Sequence, residues 1–129
     1  MESGTEGSPR GKISSMPEFP KRILREIREY LRTDITRELC GVIFSYEKLY
    51  FLPIPNCLDS AGQFRLPPEL YFFKERLSAV VHSHPLSDAF PSPADKSSSR
   101  LVGVPFLIYS CMYDNFLYFE KEKCNPIQV

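Results

Sequence analysis

Only two histidines occur in this chain, and they stand one residue apart, as His82 and His84 in VVHSHP. They follow an apolar run and precede a loop of Pro, Ser and Asp. Successive side chains of an extended strand point to opposite faces, so the two imidazoles share a face, Ser83 points away, and about 7 Å separates their Cα atoms. Two imidazoles placed this way can converge on one ion, each nitrogen about 2.0–2.1 Å from it. The plainer reading is two polar residues at a strand end, and H-x-H alone does not choose between the two.

Downstream, Ser92-Pro93-Ala94-Asp95 has an ordinary explanation as a helix start: a Ser N-cap, Pro at the first helical position and an acid at the third. The explanation is compatible with a chemical one, because a helix beginning there holds Asp95 rigidly in its first turn, where it can point at a site beside the strand end. Two histidines and one carboxylate leave the fourth position of a tetrahedral zinc open, the pattern of a catalytic rather than a structural site. Zinc so held lowers the pKa of its water to about 7 and polarises a carbonyl. Amide hydrolysis needs one more group, a carboxylate outside the coordination sphere that takes the water's proton and returns it to the leaving amine.

The elements that must position these groups are readable from hydrophobic spacing. Ile23, Leu24, Ile27, Tyr30 and Leu31 recur at helical spacing after Pro20, which predicts an amphipathic helix of about four turns. LCGVIFS and KLYFLPI read as two strands of a hairpin around Tyr46 and Glu47, with Pro53 and Pro55 ending the second, and NCLDSAGQFR as a loop. Pro67 and Pro68 open a helix through PPELYFFKER. LSAVVHSH is a strand buried on both faces, Ser92 to Leu101 a helix, and PFLIYSCMY and FLYFEKEK two further strands. This order implies an α+β domain, a mixed sheet flanked by helices, over residues 16–129. Residues 1–15 are polar and without periodicity, and read as a disordered tail or an expression leader.

The chemical residues together resemble a family pattern: a Glu far upstream, H-x-H-P, seven residues from the second His to a Ser, two more and an Asp. That is the pattern of the JAMM, or MPN-plus, zinc metalloproteases, also called JAB domains. The pieces here are Glu38 in ELCGVIF, His82 and His84 in HSHP, and Ser92 and Asp95 in PSPAD. RELCGVIF is similar to the family's first strand, FLPIPNCLDSAGQFRLPPELY to the segment joining its second strand to the next helix, and PFLIYS to the strand after the motif, so the resemblance covers nearly all of residues 19 to 120. It implies a cytidine-deaminase-like JAB/MPN fold and one Zn2+ per chain on His82, His84 and Asp95. It also implies a general base at Glu38, otherwise readable as a solvated charge at a strand start, and a Ser92 hydroxyl that steadies the tetrahedral intermediate. The implied activity is cleavage of an isopeptide or peptide bond, with an extended peptide or the C-terminal tail of a ubiquitin-like protein as substrate, entering along a free sheet edge. The segment after Cys57 is closest to prokaryotic and phage-tail members. Two alternatives follow: a phage tail-assembly or virion component that uses the fold for binding, and processing of a small ubiquitin-like sulfur carrier.

Composition narrows the partners. Sixteen basic residues balance sixteen acidic ones, which gives no phosphate-binding footprint and argues against nucleic acid. The longest apolar stretch, Leu101 to Tyr113, is too short for a membrane span and contains Pro105, and the N-terminus has no secretory core, so the expected location is the cytoplasm, or a virion for a tail protein. Cys40, Cys57, Cys111 and Cys124 are widely spread and are expected to be free thiols. The aromatic series Tyr71, Phe72, Phe73, Phe106, Tyr109, Tyr113, Phe116, Tyr118 and Phe119 is expected to fill the core rather than a peptide groove. Asp88 is assigned to a turn with Ser87 rather than to a metal, and the KSSS run after Asp95 to the exposed face of its helix.

Overall fold

The computed structural model describes residues 18–55, 65 and 67–127; the expected N-terminal tail, Cys57 and most of its loop lie outside them. Helix α1 (Lys21–Leu31) starts where Pro20, which lacks an N–H, offers its carbonyl to the amides of Ile23 and Leu24 at 3.0 and 3.1 Å. Ile23, Leu24, Ile27 and Leu31 are its buried face, at the expected helical spacing. Strands β1 (Cys40–Tyr46) and β2 (Lys48–Pro53) form a hairpin through Glu47, which takes φ 65°. Then come α2 (Pro68–Tyr71), a 3-10 turn (Lys74–Arg76), β3 (Leu77–His84), α3 (Pro93–Val102), β4 (Phe106–Ser110), β5 (Asn115–Glu120) and β6 (Lys123–Ile127).

The six strands make one sheet in the order β2-β1-β3-β4-β5-β6. All neighbours are antiparallel except β3 and β4, which run parallel and are joined by the α3 crossover, as a parallel pair requires. The strand alternation sorts the side chains into two cores. Ala79, Val81, Leu107, Tyr109, Phe116 and Tyr118 pack beneath α1, while Val80, Phe106, Ile108, Leu117 and Phe119 pack on the other face with Val102 of α3. The expected α+β mixed sheet with flanking helices is therefore present.

Five details differ from expectation. The segment from Pro68 to Arg76 makes one helical turn and then a 3-10 turn, because Phe72 and Phe73 are exposed and so short a helix lacks the packing that would sustain it. FLYFEKEK divides into β5, a turn with positive φ at both Lys121 and Glu122, and β6, an edge strand that tolerates Pro126. Cys111 and Cys124 are free as expected, but Cys40 is disulfide-bonded. The KSSS run is not a wholly exposed face: Ser98 is buried, since Asp95, Ser98 and Val102 form the inward stripe of α3. The aromatic expectation holds for the five strand residues Phe106, Tyr109, Phe116, Tyr118 and Phe119 and fails for the exposed Phe72, Phe73 and Tyr113; the side chain of Tyr71 lies outside the description.

Candidate active site

The sheet register brings the first three groups together. Within β3 the even-numbered residues Val80, His82 and His84 face α3, and His82 is paired with Cys40 of antiparallel β1. Continuing that register by two residues sets Glu38 opposite His84 on the same face. Donor atoms of Glu38, His82 and His84 accordingly lie within 4.8 Å of one another. The two imidazoles are buried and tilted at 46° with centroids 5.1 Å apart, while Glu38 is exposed.

Asp95 reaches the same spot from α3. Ser92 Oγ accepts the Asp95 amide at 3.1 Å, and Asp95 Oδ2 accepts the Ser92 amide at 2.8 Å, a complete capping box. The same Oδ2 lies 3.0 Å from His84 Nε2, and Oδ1 lies 3.0 Å from His82 Nε2. Helix capping and site formation are thus one arrangement: the hydrogen bonds that start α3 also aim its acid at both imidazoles. Burial works against the charge on Asp95, but the two histidines outweigh it and hold the carboxyl far below the usual range.

The electrostatics of this quartet call for a cation. His84 Nδ1 lies 2.8 Å from the Asp88 carbonyl, which can only accept, so Nδ1 carries the hydrogen. A neutral His84 then aims the lone pair of Nε2 at the lone pairs of Asp95, which is favourable only with a positive charge between them. A second proton is one such charge. Burial opposes it, yet Asp95, the Asp88 carbonyl and Glu38 prevail and raise the His84 pKa. A metal ion is the other. His82 supports the metal, because both its ring nitrogens are buried without a hydrogen-bond partner and its 3.0 Å approach to Asp95 lacks hydrogen-bond alignment. Ligands about 2.0 Å from a tetrahedral ion stand roughly 3.3 Å apart, close to the two His–Asp separations. Two nitrogens and a carboxylate oxygen are also a donor set that suits zinc.

The structure brings Glu38 to the two histidines, and separately brings to them Asp95, to which Ser92 is hydrogen-bonded. Others that hold the site were not anticipated. Ser110, fully buried at the end of β4, donates to the Ser87 carbonyl at 2.7 Å, and the Cys111 amide donates to the His84 carbonyl at 3.1 Å, so the loop after His84 is tied to β4. Asp88 does form a turn, but its Oδ1 takes the Phe90 amide at 3.1 Å, and its carbonyl is the His84 partner. No spacing in the sequence announces contacts made by main-chain carbonyls. The expected free edge beside the site is less direct. Among the described residues the nearer edge is β2, one strand removed from the histidines, and Pro53, opposite Gly41 at the site end, has no N–H to offer. Two surface clefts lie away from the histidines, around Gly103, Val104 and Pro105 at the other end of β3 and β4.

Comparison with known proteins shows the family and the fold. Residues 20–119 match the family model for prokaryotic homologs of the JAB domain. Over 116 residues the chain is 30% identical to a Thermus thermophilus protein named "Probable TtuB-protein conjugate cleaving protease", covering 82% of this chain and 78% of that one. The solution structure of protein DSY2949 from Desulfitobacterium hafniense has a similar fold, with a TM-score of 0.54 and 21% identity over 84% of this chain and 87% of that one.

Proposed function

Since the chain belongs to the family of prokaryotic JAB-domain proteins, we propose that it is a metal-dependent peptidase or isopeptidase, hydrolysing an amide bond at the end of an extended, protein-borne tail. The observation that carries this reading is the unequal pair of carboxylates around two histidines, one buried and within 3.0 Å of both Nε2 atoms, the other exposed and within 4.8 Å. His82, His84 and Asp95 would hold one zinc ion. Bound there, zinc would supply Lewis-acid polarisation of the scissile carbonyl and acidify water at the site. Glu38, at the solvent side, accepts the proton of the attacking water and delivers it to the departing amine. Ser92 Oγ is an acceptor for the Asp95 amide, which leaves its O–H to donate to the oxyanion. The relative named as a conjugate-cleaving protease supports a substrate in which one protein is joined to another.

The test is Glu38→Gln, which preserves size while removing the proton acceptor. Zinc content should stay at about one per chain, because Glu38 faces the water and not the ion. On an isopeptide-linked protein conjugate, turnover should fall by roughly 10²–10⁴-fold with KM little changed. Equal turnover in the two proteins defeats the mechanism; zinc-loaded wild type without turnover on any conjugate or linear peptide points instead to a binding role for the fold, as in a tail-assembly component.

A further inference from the structure

We propose that Ser83, the residue between the two histidines, is a positioning residue for Glu38: its hydroxyl replaces a ladder carbonyl and holds the backbone that carries the carboxylate over the site. The inference rests on the reading of Glu38 as general base and goes beyond it. In an antiparallel ladder, alternate pairs exchange two N–H···O=C bonds. Leu39 and Ser83 stand opposite each other in such a pair, since β1 and β3 pair Cys40 with His82 and Gly41 with Val81. Half of the exchange is regular, the Ser83 amide donating to the Leu39 carbonyl at 3.0 Å. The return bond is not: the Leu39 amide donates to Ser83 Oγ, also at 3.0 Å. Regular pairing stops at Cys40, so this side-chain bond extends the hold of β3 on the chain to the residue next to Glu38.

Both partners are sheltered, with Ser83 fully buried on the α1 face and Leu39 at 8% exposure, so no water competes for the Leu39 amide. Among the described residues no other hydrogen bond steadies Glu38. It is exposed, and among the described residues its carboxylate makes no hydrogen bond, which leaves its placement to the backbone at Leu39. The strand alternation that turns Ser83 away from the metal face therefore gives it a second task on the opposite face. Neighbouring residues of one strand serve one reaction from two sides of the sheet: His82 and His84 by facing the ion, Ser83 by fixing the partner strand.

The test compares Ser83→Thr with Ser83→Val, side chains of nearly the same shape that differ in the hydroxyl, each alone and combined with Glu38→Gln. Zinc content, melting temperature, kcat and KM are measured, together with hydrogen exchange of the Leu39 amide in the metal-free protein. Ser83→Thr should match wild type in kcat and in Leu39 protection. Ser83→Val should keep its zinc and its KM, lose Leu39 protection, and drop roughly ten- to hundredfold in kcat, as expected when a catalytic group is slightly misplaced. Added to Glu38→Gln it should reduce turnover no further, because Ser83 acts through Glu38. A kcat equal to wild type in Ser83→Val, loss of zinc in that variant, or an undiminished further loss on the Glu38→Gln background would each overturn the assignment. If Glu38→Gln itself turns over like wild type, the general-base reading is what fails, and Leu39 exchange still reports whether the hydroxyl holds the strand.

Discussion

Two carboxylates approach the same pair of imidazoles, and burial divides their roles. Asp95 is 7% exposed and shared between both Nε2 atoms, whereas Glu38 is open to solvent. An enclosed carboxylate shared between two imidazoles suits a ligand, and a solvated one suits proton exchange. Replacing His82, His84 or Asp95 by Ala should therefore abolish stoichiometric zinc binding, as checked by elemental analysis; full zinc in all three variants contradicts the coordination. Ser92→Ala separates two tasks of one hydroxyl. Loss of an oxyanion donor should lower kcat on the order of 10²–10³-fold, and loss of the N-cap should lower stability by about 1 kcal/mol in a urea titration. A stability loss without the kinetic one would reduce Ser92 to a cap. At this scale His82, His84 and Asp95 could be singled out from residue type and spacing as a candidate donor set, because zinc chemistry draws on those side chains. Glu38 became legible only through the family pattern, since its partners lie more than forty residues away. The Asp88 carbonyl and the Ser83 clamp were not legible, because main-chain hydrogen bonds follow from register rather than residue type.

Among the elements, α3 and α1 are fastened to the sheet by different means. α3 enters through the capping box that also builds the site, and ends at Gly103, whose φ of 73° suits a residue without a Cβ. α1 is held by its apolar face and by a bidentate pair, Arg28 Nε and Nη2 to Asp114 at 2.7 and 2.9 Å, with Tyr109 also donating to Asp114. Arg28 foremost, then Tyr109, lowers the Asp114 pKa to about 2. A carboxylate whose pKa is depressed on folding contributes stability above its unfolded value, and the contribution disappears as pH falls through the folded one. Asp114→Asn keeps a residue that tolerates the local φ of 55°. It should lower stability slightly near neutral pH, by less than about 1 kcal/mol because the Asp114 side chain is 47% exposed. The gap from wild type should narrow steadily between about pH 4 and about pH 2, as followed by urea titration; a constant gap would show that the ion pair is not its source. Gly41 is the other fastening point. An added Cβ would lie 2.5 Å from the Leu52 carbonyl oxygen, a backbone atom that cannot swing aside, so Gly41→Ala should force β1 and β2 apart and lower the melting temperature.

The molecule as a whole is one sheet used on both faces: α1 closes one side, α3 and the site share the other. Among the described residues no helix is long and apolar enough to cross a membrane. Residues 1–15 contain no apolar periodicity with which to dock on either face. Their removal should leave melting temperature and zinc content unchanged, and a fall of several degrees would show that they pack on the domain. The sequence by itself determined the helix and strand types, through periods of 3.6 and 2, and singled out a candidate donor set, because capping chemistry and metal chemistry each restrict residue type at short spacing. It did not determine the break in the helix after Tyr71, the sixth strand or the disulfide at Cys40, each of which depends on what the rest of the chain leaves open for packing or pairing. Only the tertiary structure decided that Glu38 stands across from His84 and that Ser83 reaches Leu39. Those neighbours are set by strand order and register between β1 and β3, which arise from how two buried faces are filled together and have no local signature in the chain.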